Sequence, residues 1–240
     1  MIDYYSFSAK GDRNSNEDFC LIKENSYGVC FVVNDGLGGC GNGDVASKLV
    51  ATAIADSFDE CIKDDFFKSS FIYASKLLSE KQRDTPMATN MKTTSAVLTI
   101  INNTAQWGHI GDSRIYYFNK ARLLTRTYDH SVPQMLVKMK EIKEKDVRFH
   151  KDRSKLLKAI GDGSTNHEPS VSEKHSLVVG NAFLLCTDGF WELINEKEMT
   201  KALKKTKTAK EWIEYMASLV MSRGKGQDMD NASAIGVRIL

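Results

Sequence analysis

Residues 3–9, 18–24 and 28–34 are short runs rich in Tyr, Phe, Val, Ile and Cys, broken by Gly, Asn, Asp and Ser. Short apolar runs with that punctuation predict three strands. Over 44–59 the period lengthens: Val45, Leu49, Ala53 and Phe58 recur at near-helical spacing, and Phe66, Ile72, Tyr73 and Leu77 do the same over 65–83, predicting two helices. Strand-like runs return at 94–101, 106–110, 114–118 and 122–125, with turns at Asn102-Asn103 and Asn119-Lys120, and read as one antiparallel meander. A parallel sheet would need a crossover helix in each gap. Residues 126–168 are less regular and mostly polar, and the basic stretch 138–158 within them reads as a solvated helical face. The Phe-Leu-Leu-Cys core of 181–187 predicts a buried strand. Helices are predicted near 196–204 and 209–222, where Asn195 with Glu198 and Thr208 with Glu211 stand at capping-box spacing. The alternating end, ASAIGVRIL, predicts a last strand. No repeat or linker interrupts the order.

Composition narrows the class. With 42% hydrophobic and 27% charged residues in 240 positions, the chain is neither disordered, collagenous nor a coiled coil, and one domain over 1–240 is expected. Thirty-three basic against 31 acidic residues leave +2, which gives no pull toward nucleic acid. The start, MIDYYSFSAK, has no apolar targeting core, and no segment approaches the ~20 apolar residues of a membrane helix. A cytoplasmic monomer with no membrane or nucleic-acid partner is the expectation. Five cysteines without CxxC spacing suggest neither a disulfide framework nor a zinc site.

The chemistry-bearing residues stand where predicted strands begin or end: Glu17 and Asp18, Asp35, Asp112, Asp188 and Asp230. An isolated Asp-Gly is ordinarily a turn, but five such sites abutting apolar runs are not all turns. Two carboxylates about 4 Å apart repel by roughly 4 kcal/mol at an effective dielectric near 20, so converging ones hold protons or cations. All-oxygen ligands favour Mg or Mn. The stretch from Gly36 to Gly41 also matches GxGxxG, which raises a dinucleotide-binding oxidoreductase. Asp35 would set a carboxylate beside a pyrophosphate, and the antiparallel pattern opposes a parallel sheet. No GxxxxGK[ST] loop occurs, and no Cys precedes an Arg by six positions.

Taken in order, Gly11-x-Arg13-x-x-Asn16-Glu17-Asp18, Val33-x-Asp35-Gly36-x-Gly38-Gly39 with Gly43 and Ala46-Ser47, Thr93-Thr94, Gly111-Asp112-Ser113-Arg114, Asp129-His130-Ser131, Thr187-Asp188-Gly189-Phe190-Trp191 and Asp230-Asn231 resemble the motifs of the type 2C (PPM) metal-dependent serine/threonine phosphatases, in their compact bacterial-like branch. The resemblance spans about residues 10–238 and implies an α+β, four-layer αββα sandwich, two antiparallel sheets flanked by helices, with a metal cluster at one end. It implies a phosphatase for phosphoserine and phosphothreonine in proteins, acting by direct attack of metal-bound hydroxide at a binuclear Mg2+ or Mn2+ centre, with a third ion held more weakly. Glu17, Asp18, Asp35, the Gly36 carbonyl, Asp188 and Asp230 correspond to the metal set, directly or through water, with Asp35 bridging. Asp112 corresponds to the third position. Arg13 corresponds to the arginine that holds the substrate phosphate, so Arg13, Asp35 and Asp188 are the expected catalytic residues.

Cys40 stands where many such proteins have His, and His130 is expected to be a structural hydrogen-bonding residue. The segment 138–158 falls at the family's mobile flap. It has nine basic and four acidic residues, an excess expected to attract acidic or phosphorylated segments of a substrate. The reading from another class is a catalytically weak phosphoprotein-binding module of the same fold. Such modules usually lose metal carboxylates, which are all present here.

Overall fold

The computed structural model describes residues 1–37, 42–60, 65–85, 91–164 and 168–240. Strands β1 (Ile2–Ala9), β2 (Phe19–Asn25), β3 (Gly28–Asn34) and β4 (Gly36–Leu37) precede helices α1 (Gly43–Glu60) and α2 (Phe66–Asp84). Strands β5 (Lys92–Thr93), β6 (Ser95–Ile101), β7 (Thr104–Ile110), β8 (Arg114–Asn119) and β9 (Arg122–Arg126) follow, then α3 (Val132–Lys138). The last part holds β10 (Ser170–Val171), β11 (His175–Ser176), β12 (Asn181–Cys186), α4 (Asp188–Trp191), α5 (Glu196–Lys205), α6 (Ala209–Gly224) and β13 (Ala232–Ile239).

Two antiparallel sheets, ordered β1-β13-β12-β8-β9 and β10-β7-β6-β3-β2, stack face to face. Alternation along single strands builds three apolar layers. In β3, Cys30 and Val32 face α1 and α2, while Val29, Phe31 and Val33 meet the other sheet. In β12, Ala182, Leu184 and Cys186 face α5 and α6, while Phe183 and Leu185 point inward. Both faces of these strands are covered, which is why they read as continuous apolar runs rather than as an apolar/polar alternation. Full burial of each such Leu, Val or Phe contributes about 1.5–3 kcal/mol. The result is the αββα sandwich.

The single meander expected over 94–125 is instead two hairpins in opposite sheets. β6 pairs with β7 in one sheet, and β8 pairs with β9 in the other. The chain crosses between sheets at Gly111 (φ +97°), where a Cβ would lie 2.6 Å from the Thr94 side chain. Glycine permits both the left-handed backbone and that approach. Residues 126–168 hold more structure than expected: α3, capped by Ser131 with Pro133 in its first turn, and a 3-10 turn at Glu144–Phe149.

Register places the chemistry. Phe19 pairs with Asn34, Val33 with Ala96, Ser95 with Ile110, Arg114 with Cys186, Cys186 with Ala234, and Ala9 with Ala232. The start of β2, the end of β3, the β7–β8 crossing, the end of β12 and the start of β13 therefore share one end of the sandwich.

Candidate active site

Arg13, Glu17, Asp35, Gly36, Asp112, Asp188 and Asp230 line one cavity of about 550 Å³ at that end, together with Asn14, Ser15, Leu37, Ser154, Leu156 and Asn231. Asp18 stands behind this wall, buried, with Oδ2 accepting from Thr187 Oγ1 at 2.9 Å and Oδ1 without a partner among the described residues. Gly38, Gly39, Cys40 and Gly41 lie outside the described residues, so the expectations for the glycine loop and Cys40 do too.

Local bonds hold each ligand candidate in place. Asp35 leaves the end of β3 clamped by two threonines: its N–H donates to Thr94 Oγ1 (3.0 Å), and its carbonyl accepts from Thr94 N (2.9 Å) and Thr93 Oγ1 (2.8 Å). The buried Asn34 amide donates to the Ser47 carbonyl at 2.8 Å, fixing α1 against that strand end. Asp188 opens α4, and the following Gly189 packs so closely that a Cβ there would be 2.2 Å from the Asn231 carbonyl oxygen. Asn231 organises the 10–17 loop: its Nδ2 donates to the carbonyls of Lys10 (2.7 Å) and Ser15 (2.9 Å), and its Oδ1 accepts from Glu17 N (2.7 Å). Sequence reasoning gave Asn231, Thr93, Thr94 and Thr187 no roles, although all four lie in the quoted motifs.

The electrostatics are those of crowded carboxylates. Burial, then the charge of Asp188, pushes Asp35 and Asp112 well above the usual carboxylate range. Asp188 is raised by burial and then by Asp230, with a hydrogen bond to Asp35 acting the other way. Burial raises Asp18 to about 7 and, with Asp44, raises Glu17. Such groups hold protons or cations. Among the described residues no three His, Cys, Asp or Glu side chains form a ready-made ligand cluster. The donors are instead spread around a cavity with room for ions that keep part of their water, as Mg does. An all-oxygen donor set and the orphaned Asp18 Oδ1 fit a hard divalent ion.

Arg13 stands on the rim with its fork engaged: Nε and Nη2 each lie 3.0 Å from an Asp230 oxygen, and Nη1 lies 3.4 Å from Asp228. His130 does not line the cavity. Its Nδ1 accepts from Gly111 N at 3.1 Å, its Nε2 lies 2.9 Å from Ser170 Oγ, and its ring stacks on His109. Burial pushes it down to about 3, as suits a neutral structural imidazole. Arg153, within the basic 138–158 segment, donates to Glu192 at 3.0 Å, and the half-buried Arg148 donates to the Trp191 and Ile194 carbonyls.

The family model for protein phosphatase 2C matches residues 8–231. The serine/threonine phosphatase stp of Listeria monocytogenes is 28% identical over 228 residues, covering 90% of this chain and 88% of that protein. The crystal structure of the Mycobacterium tuberculosis serine/threonine phosphatase PstP/Ppp superposes with a TM-score of 0.86 at 25% identity, covering 99% and 98% of the two chains. A structure of the PstP catalytic domain in complex with two manganese ions gives 0.84 at 23% identity, covering 100% and 98%.

Proposed function

Because the chain belongs to the protein phosphatase 2C family and is a serine/threonine phosphoprotein phosphatase, we propose that the carboxylate-lined cavity is its catalytic centre, with two Mg2+ or Mn2+ ions and a third, weaker one beside Asp112. The observation that carries this reading is the gathering of Glu17, Asp35, Asp112, Asp188 and Asp230 on one cavity with Arg13 at its rim. Residues 1–240 act on this reading as a single phosphatase domain, and the substrates are proteins phosphorylated by a serine/threonine kinase.

Asp35 with the Gly36 carbonyl, Asp188 and Asp230 would hold the main ions, Glu17 and the buried Asp18 acting on them directly or through water. When bound, the ions acidify water and neutralise phosphoryl oxygens. The chain's own residues do the placing. The Thr93–Thr94 clamp fixes the Asp35 backbone, and α4 presents Asp188 from its first residue. Arg13 offers paired donors that suit two phosphoryl oxygens, and a phosphate entering the cavity competes with Asp230 for them. No side chain need become phosphorylated.

The test is phosphate release from a phosphothreonine peptide by wild type and Asp188→Asn, with Mn, with Mg and with chelator. Turnover that requires metal and disappears in Asp188→Asn is expected. Undiminished turnover in chelator would refute the metal-dependent reading.

A further inference from the structure

Asp112 and Asp188 are 76 positions apart in sequence, yet a closed ring of contacts ties their backbones together. Arg114 opens β8 two residues after Asp112, with its side chain 3% exposed. Its Nε and Nη2 donate to the two oxygens of Asp129 at 2.8 and 2.7 Å, and its Nη1 donates to Tyr116 Oη at 3.1 Å. The guanidinium lies 3.3 Å from the centre of the Trp191 ring. Trp191 ends the one-turn helix that begins at Asp188, and its indole N–H donates to the Asp112 carbonyl at 3.0 Å. The path from Asp112 through Arg114 to Trp191 thus returns to Asp112.

A buried ion pair is weak evidence for stability, because apolar groups of similar volume are often as stabilising or more so. Its geometry is the informative part. One carboxylate fork and one aromatic face fix the plane of the guanidinium, and that plane sets the distance between the Asp112 turn and α4. Neither Arg114 nor Trp191 lines the cavity.

We propose that Arg114, acting through Trp191, is a positioning residue that holds the Asp112 turn and the Asp188 helix at the separation the ions of this site require. The proposal rests on the reading of the cavity as a metal centre. Substitution of groups that orient metal ligands typically costs 10–100-fold in metal affinity or activity.

Two variants test it. Trp191→Phe keeps an aromatic face for Arg114 but removes the N–H to Asp112. Arg114→Lys keeps a cation but loses the fork and the stack. Mn(II) binding by calorimetry, steady-state hydrolysis of an aryl phosphate, and melting temperature in chelator are measured for wild type, each variant and the double variant. Each single variant is expected to weaken Mn(II) binding at its most affected site by about tenfold or more and to lower kcat by about 10–100-fold, while KM moves by less than about threefold. The double variant should fall little below either single one, as for residues acting as a unit. A lowered melting temperature with unchanged Mn(II) isotherms and kcat would overturn the proposal and leave Arg114 a packing residue. If Arg114→Lys fails to fold, Trp191→Phe alone decides by the same two outcomes. Absence of Mn(II) binding by wild type would overturn the metal-centre reading and this proposal with it.

Discussion

Replacing Asp18 by asparagine is expected to stabilise the metal-free protein at neutral and alkaline pH. The Asp18 carboxyl is buried, one of its oxygens has no partner among the described residues, and burial raises its folded pKa from the ordinary 3.8 to about 7. Below about pH 4 both folded and unfolded chains carry the proton, and the residue has no effect. Between about pH 4 and 7 the folded chain keeps a proton that the unfolded chain releases, so stability falls as pH rises. A shift of about 3 units at roughly 1.36 kcal/mol each makes the cost about 4 kcal/mol once the pH passes 7. Asparagine has no such term, and its carbonyl oxygen can still accept from Thr187 Oγ1. The melting-temperature gap between Asp18→Asn and wild type in chelator should therefore grow from near zero at about pH 4 to roughly 10 °C at about pH 8. The depressed histidines, His109 and His130, are common to both proteins and cancel. Saturating Mn should close the gap, because a nearby cation favours the ionised carboxylate. A gap that does not vary with pH, or a variant less stable than wild type in chelator at about pH 8, would refute the reasoning.

Three further outcomes are expected. Lys151→Glu should raise KM for a phosphopeptide about threefold while leaving a small aryl phosphate unaffected; Lys151 is exposed, whereas Arg153 is committed to Glu192 and makes a poorer probe. Equal effects on both substrates would remove the idea that the charge of the 138–158 segment attracts substrate. Cys30 and Cys186, fully buried and with thiols pushed up by that burial, should resist alkylation in the native protein and react only after unfolding, as read by peptide mass mapping. Glu198, lowered to about 2 chiefly by the hydrogen bond from Arg223, contributes stability above the ordinary carboxylate pKa that is lost as pH falls toward 2. Because Arg223 is 43% exposed, solvent screening limits the loss in Glu198→Gln at neutral pH to about 0.5–1 kcal/mol in denaturant titrations, vanishing near pH 2.

The central strands were legible because, buried on both faces, they leave apolar runs such as the Phe31–Val33 and Phe183–Cys186 stretches between polar turns, whereas the sandwich they build was implied only by the resemblance to the type 2C phosphatases. The sheet to which a hairpin belongs is not encoded locally. β6–β7 and β8–β9 look like one meander until the Gly111 crossing is seen, and that crossing is what carries Asp112 into the site. α4 has one turn, too short for any period to show, and α3 is a seven-residue helix set in a polar stretch, equally short of a readable period. The acidic residues stood out at strand ends. That Asp18 stands behind the cavity wall, that Arg13 grips Asp230, and that Asn231 and Arg114 organise the site all depend on side chains brought together from distant segments.

The most direct measurement is the number of Mn(II) ions bound by the purified, chelator-stripped protein, read by calorimetry and by metal analysis after dialysis. Two tightly bound ions per chain are expected, with a third, weaker one lost selectively in Asp112→Asn. A single ion, or none, in folded wild type would contradict a binuclear centre built from Asp35, Asp188 and Asp230.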